Sequence, residues 1–227
     1  MKIFRHFENL PVEVRGASVA IGNFDGVHLG HRAVIGEAGR IARDQGIPLA
    51  VLSFEPHPRS LFVPAGEPFR LTPFRTKAQH IGDLGVDNLI VLHFDEAFAR
   101  ISADDFIKRV LVEGLGARHV VSGYDFVFGH KRAGNCELLL HKGQEEGFGF
   151  TCVSAIDDGE MVYSSTRVRE CLKAGDPRAA ALLLGRNFEI YGRVEHGDAR
   201  GRTIGFPTAL FSQLVLNPLI LIYTPLV

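Results

Sequence analysis

Short apolar runs and amphipathic stretches take turns along the first 185 residues. SVAIGNF (18–24), PLAVLSFE (48–55), NLIVLHF (88–94), ARHVVSG (117–123) and FGFTCVSAI (148–156) are brief, often β-branched and almost free of alternation. That pattern predicts strands covered on both faces. Between them lie stretches of helical period, among them HRAVIGEAGRIARDQG (31–46), FRTKAQHIGDLG (74–85) and CELLLHKGQEEG (136–147). In the first of these, Val34, Ala38, Ile41 and Ala42 share one face, which leaves Arg32, Arg40 and Arg43 to water. SADDFIKRVLVEGLG (102–116) adds a helix whose Ser102 and Asp105 approximate a capping box. Strand and helix in regular succession predict an α/β fold, a doubly wound parallel sheet that binds ligands beyond the carboxyl ends of its strands.

SSTRVRECLKAG (164–175) and PRAAALLLG (177–185) complete this part as two further helices, Pro177 suiting a first turn. From residue 186 the chain changes character, with the glycine-rich FEIYGRVEHGDARGRTIGFPTAL. We therefore expect one domain over 1–185 and a second, β-rich segment over 186–227. The last 17 residues carry no charge. Two prolines among them, and a length short of the ~20 residues that span a bilayer, argue against a membrane anchor.

Composition narrows the function more than the fold. The formal net charge is −1, so no long-range field marks a nucleic-acid or membrane-surface binder, and a small partner is expected. Cys136, Cys152 and Cys171 form no CxxC pair, which argues against structural zinc and a disulfide scaffold. The first 16 residues lack the apolar core of a signal peptide. A soluble protein of the reducing cytoplasm is the expectation.

Four stretches sit where strands end. GNFDGVHLGH (22–31) places His28 and His31 beside Gly22, Gly26 and Gly30 at a strand-to-helix turn. Glycine admits close backbone approach, and a helix start presents free N–H groups, a combination suited to phosphate. Zinc and plain turn histidines are the rival readings. SSTRVR (164–169) offers Ser164, Ser165 and Thr166 at another helix start, with Arg167 and Arg169 for oxyanions; an ordinary N-cap with solvated arginines explains it equally well. In SFEPHPRSLF (53–62), Phe54 and Phe62 can stack on a planar ligand beside His57, or be core residues at a turn. In SGYDFVFGHKRAGN (122–135), Asp125 can accept from a ribose or base, or cap its own turn, with Phe126 and Phe128 alongside. Neither a GxxxxGK[ST] loop nor a GxGxxG fingerprint is present, which disfavours a P-loop kinase or a dehydrogenase.

In this order, GNFDGVHLGH, SFEPHP, SGYDFVFG and SSTRVR resemble the adenylyltransferase module of the prokaryotic bifunctional riboflavin kinase/FMN adenylyltransferases. GRVEHGDARGRTIGFPTA (192–209) resembles the opening of that family's kinase module. The resemblance implies a nucleotidyltransferase of the HxGH class that joins MgATP and FMN into FAD and pyrophosphate. It also implies roles: His28, His31 and Arg167 at the reacting phosphates, with Gly22, Phe24, Asp25, Gly30, Asp125, Ser164, Ser165 and Thr166 around ATP. Phe54, His57, Phe62 and Phe128 fall in motifs of the flavin side. The kinase half departs from the family, since Thr208 of its metal-holding Pro-Thr-Ala-Asn is followed at 210 by leucine. The chain also ends before the portion that carries the family's catalytic glutamate, so a truncated module without kinase activity on riboflavin is the expectation. An HxGH enzyme with another acceptor, and a flavin or nucleotide binder that has lost catalysis, are the alternatives.

Overall fold

The computed structural model describes residues 1–62, 69–155 and 162–191, together with a short strand pair at 194–195 and 210–211. Six strands form one parallel sheet: β1 (Lys2–Phe4), β2 (Ser18–Ile21), β3 (Leu49–Glu55), β4 (Asn88–His93), β5 (His119–Gly123) and β6 (Gly149–Val153). Their spatial order is β1-β4-β3-β2-β5-β6. From β2 the chain moves to β3 on one side, and later returns to lay β5 on the other. The gap between the carboxyl ends of β2 and β5 is thus the switch point, the place where such sheets take ligands.

Strand alternation divides the core between two faces. Val19 and Ile21 of β2, Leu52 and Phe54 of β3 and Val120 of β5 face one way, against Phe106, Ile107, Val110 and Leu111. Ala20, Val51 and Val121 face the other, against helices α1 (Leu29–Gln45) and α2 (Phe74–Gly82). The anticipated α1 face is the buried one: Val34, Ile35, Ala38, Ile41 and Ala42 go inside while Arg32, Arg40 and Arg43 stay exposed. Burying a side chain such as Ile35 contributes about 1.5–3 kcal/mol. Gly46 ends α1 at φ 63, a left-handed cap whose N–H bonds to Arg43 O.

Two elements differ from the sequence reading. After α3 (Glu96–Ala99), Ser102 does cap α4 (Ala103–Asp105), accepting from Asp105 N at 3.0 Å, but from Phe106 to Gly114 the helix widens to π geometry. That wider turn buries Phe106, Ile107, Val110 and Leu111 and sets Gly114 against Phe7, where a Cβ would come within 2.9 Å of Phe7 O. Strand β1 is too short for any periodicity to betray it, and pairs with β4 only through three residues. Helix α5 (Cys136–Glu146) is capped by Asn135, α6 (Ser165–Lys173) by Ser164 and α7 (Pro177–Leu184) by Asp176. Helices α6 and α7 bury Val168, Leu172, Ala180, Leu183 and Leu184 together with Leu71. The strand pair β7 (Val194–Glu195) and β8 (Leu210–Phe211) is antiparallel. Thr208 lies outside the described residues.

Candidate functional site

The loop leaving β2 is held in a conformation that most residues avoid. Phe24 has φ 51, Gly26 φ 86 and Val27 φ 42, and a left-handed β-branched residue stores strain. Three attachments hold it. The Asp25 carboxylate, 3% exposed, accepts from Leu71 N at 3.0 Å and Thr72 N at 3.1 Å, and pairs with the Arg169 guanidinium of α6. Ser165 Oγ donates to Asp25 O at 2.8 Å, and Gly26 N donates to Thr72 Oγ1 at 3.0 Å. From beyond α7, Arg186 donates to Gly26 O at 2.7 Å and Val27 O at 3.2 Å.

This clamp delivers the two histidines. His28 is the N-cap of α1, its Nδ1 accepting from His31 N at 3.3 Å, an arrangement that puts the proton of the neutral ring on Nε2. The two rings stack at 3.6 Å between centroids, and His31 rests edge-on against Phe24 at 5.2 Å. Burial lowers the His28 pKa to about 4; Arg169 and Arg186 push the same way and Asp25 opposes. Burial likewise holds His31 well below the usual histidine range, helped by His28, Lys77, Arg169 and His57. His31 Nδ1 is a buried polar atom with no partner among the described residues.

The α1 and α6 starts meet here. A Cβ on Gly30 would lie 3.1 Å from Tyr163 O and 3.2 Å from the His28 ring, so any larger residue would make these neighbours give by a few tenths of an ångström. Gly22 is similarly tight, since a Cβ there would lie 3.1 Å from the Phe24 ring. Ser164 accepts from Arg167 N at 3.2 Å as the α6 cap. Thr166 and Arg167 are exposed, while Arg169, two residues on and so on the opposite side, is the clamp member.

The remaining candidates divide. His57 caps the short 3-10 turn Pro58–Leu61, accepting from Arg59 N at 3.1 Å, and lies edge-on to Phe69 at 5.1 Å. Burial lowers its pKa to about 4, with Lys77, Arg169 and Arg70 assisting against Asp25, so it belongs electrostatically with the histidine pair. Phe54 and Phe128 are 5% and 7% exposed and sit in an aromatic cluster, each about 5–6 Å from Phe106 or its neighbours. Phe62 is 72% exposed, and Asp125 is exposed on the loop after β5.

Two contributors escaped the sequence reading. Lys77 of α2 is 1% exposed, with Nζ donating to Ser53 Oγ at 3.1 Å and Asn23 O at 3.3 Å and lying 3.5 Å from Glu55 Oε2. Desolvation lowers its pKa. The signal was a lysine on the apolar side of an amphipathic helix, next to Ala78 and one turn from Ile81 and Phe74. Arg186 gave no comparable signal, because its partners lie 160 residues away.

A narrow turn carrying stacked histidines, joined to a second helix start at a switch point, is the structural side of the comparison with known proteins. The FAD synthetase family model matches residues 10–167. The chain belongs to the FAD synthetase family. A riboflavin kinase family model matches residues 184–224 of this FAD synthetase family member. It is 42% identical over 209 residues to the bifunctional riboflavin kinase/FMN adenylyltransferase of Pseudomonas fluorescens, covering 92% of this chain and 67% of that one. It is also 42% identical over 210 residues to the protein of the same name from Escherichia coli strain K12, with the same coverage. Among solved structures, a protein from Streptococcus pneumoniae described as a macrolide-efflux protein superposes with a TM-score of 0.77 at 28% identity. That match covers 92% of this chain and 68% of the other. No helix among the described residues is long and apolar enough to cross a membrane. The family resemblance carried by four ordered motifs is thereby borne out.

Proposed function

We propose that the protein synthesises FAD: the phosphate of FMN attacks the α-phosphorus of MgATP, a new phosphoanhydride bond forms, and pyrophosphate leaves. The observation that carries this reading is the stacked His28–His31 pair where α1 and α6 meet, with His31 Nδ1 buried and unpartnered among the described residues. Such a transfer asks little covalent work of the protein, and positioning and charge neutralisation carry it.

In this reading His28, neutral in the free protein, offers its Nε2 proton to a phosphate oxygen. An anion placed there favours the imidazolium, so nucleotide binding raises the His28 pKa from about 4 and takes up protons in acidic solution. Arg167 swings over the leaving pyrophosphate, and Ser164 with Thr166 lines the α6 start. Asp25 and Arg169 hold the loop in shape. Asp125 takes the ribose or base, while His57 and Phe62 lie on the flavin side and Phe54 and Phe128 form the floor beneath it. No cluster of three or more metal-ligating side chains occurs among the described residues, and Asp25 already has its partners. Mg²⁺ therefore enters as part of the MgATP substrate. Small-molecule substrates suit the near-zero net charge, and the free thiols suit a cytoplasmic setting.

We place the adenylyltransferase domain over 1–185, with Arg186 anchoring the following segment to it. With Leu210 in the place of the family's asparagine, this chain does not phosphorylate riboflavin. The test incubates the purified protein with MgATP and either FMN or riboflavin. FAD and pyrophosphate from FMN, with neither FMN nor FAD from riboflavin, is the expected result. Absence of FAD from FMN at high enzyme concentration refutes the first claim, and FMN from riboflavin refutes the second.

A further inference from the structure

The sequence scatters its cysteines, but the fold does not. Cys136, the first residue of α5, and Cys152, near the end of β6, bring their sulfurs to 3.0 Å of each other. This is about 1 Å beyond a disulfide bond length. Cys152 donates to Cys136 Sγ, and Cys136 lies 3.4 Å from Gly123 O and 3.5 Å from Ser122 Oγ at the end of β5. Cys152 is exposed, so small molecules reach the pair.

We propose that Cys136 and Cys152 are a redox modification site, a thiol pair that a small-molecule disulfide oxidises to an intramolecular disulfide. Two elements supply the sulfurs, α5 and β6, which pack side by side. Burial and the Cys136 sulfur push the Cys152 thiol up to about 12, which keeps its proton in place at neutral pH. Cys136, whose sulfur accepts the Cys152 S–H, opens the exchange. Its thiolate attacks one sulfur of glutathione disulfide, the S–S bond breaks, and one glutathione thiolate leaves and takes a proton. The Cys152 sulfur then gives up its proton and displaces the second glutathione from Cys136. The protein loses two protons and two electrons, and the glutathione disulfide takes them up to become two thiols. Cys171, half-buried on α6 and with no other cysteine paired to it among the described residues, is the internal control.

The experiment incubates the full chain with glutathione disulfide, quenches with acid and digests with trypsin, which cuts at Lys142 between the two cysteines. The expected product is a linked pair of peptides, one carrying Cys136 and one carrying Cys152, that dithiothreitol separates. Cys152→Ser is expected to stall as a glutathione adduct on Cys136, and Cys171→Ser to leave the linked pair unaffected. Oxidised wild type is also expected to melt at a higher temperature than Cys152→Ser treated alike. Adducts on Cys136 or Cys152 without a linked pair, or reaction at Cys171 alone, overturn the proposal.

Discussion

His28 is a buried imidazole whose environment keeps it neutral. Replacing it by alanine is expected to lower kcat for FAD formation by about 10²- to 10³-fold with an unchanged circular dichroism spectrum, since the proposed function makes it a directed donor to a reacting phosphate. Its depressed pKa also makes stability depend on pH. In the unfolded chain the ring binds a proton below about pH 6.5, whereas in the folded chain it does so only near pH 4. Between these values the unfolded state holds more protons, so stability is full above pH 6.5 and falls as pH drops through this window. Urea titrations at pH 7, 6 and 5 should show a decline on the order of 2 kcal/mol, and the slope should be shallower in His28→Gln. A flat profile would mean that the ring titrates normally. At this scale the sequence supplied the histidines and their glycines, but not their charge. That depends on burial by Phe24 and on cations arriving from α2, α6 and the segment after α7.

The elements were readable where period decided them. Strands β2 to β6 and helices α1, α2 and α5 to α7 fall where short apolar runs and helical periods put them, the strands being covered on both faces and each helix burying the face its spacing defines. What spacing could not convey was the join between elements. Asp25 reads in sequence as a ligand contact in a glycine loop, yet it fastens that loop to Leu71, Thr72 and Arg169. Asp25→Asn removes the negative charge and leaves the Arg169 guanidinium, 12% exposed, without its counterion. A loss of about 3–5 kcal/mol is expected in denaturant titrations, along with FAD synthesis reduced even at low temperature where the variant stays folded. Stability within 1 kcal/mol of wild type would show that the clamp is dispensable.

Across the whole molecule, Arg186 ties the segment that follows α7 to the loop that precedes α1. Arg186→Ala removes its bonds to Gly26 O and Val27 O, and with them part of what holds the strained turn. We expect kcat/KM for ATP to fall about tenfold while the melting temperature drops only a few degrees, and Arg186→Lys to restore part of the loss. Unchanged kinetics would place the latch outside the function. By itself the sequence determined the parallel α/β fold, because strand and helix periods are local properties, and it carried the ordered motifs whose resemblance pointed to the family. Only the tertiary structure decided which residues hold the site and which are held. Lys77 was buried under it, Arg169 rather than Arg167 was turned toward Asp25, and Cys136 was set against Cys152. These are contacts between residues up to 144 positions apart. Their energies come from burial and charge pairing that arise only when the sheet assembles, so no window of the chain contains them.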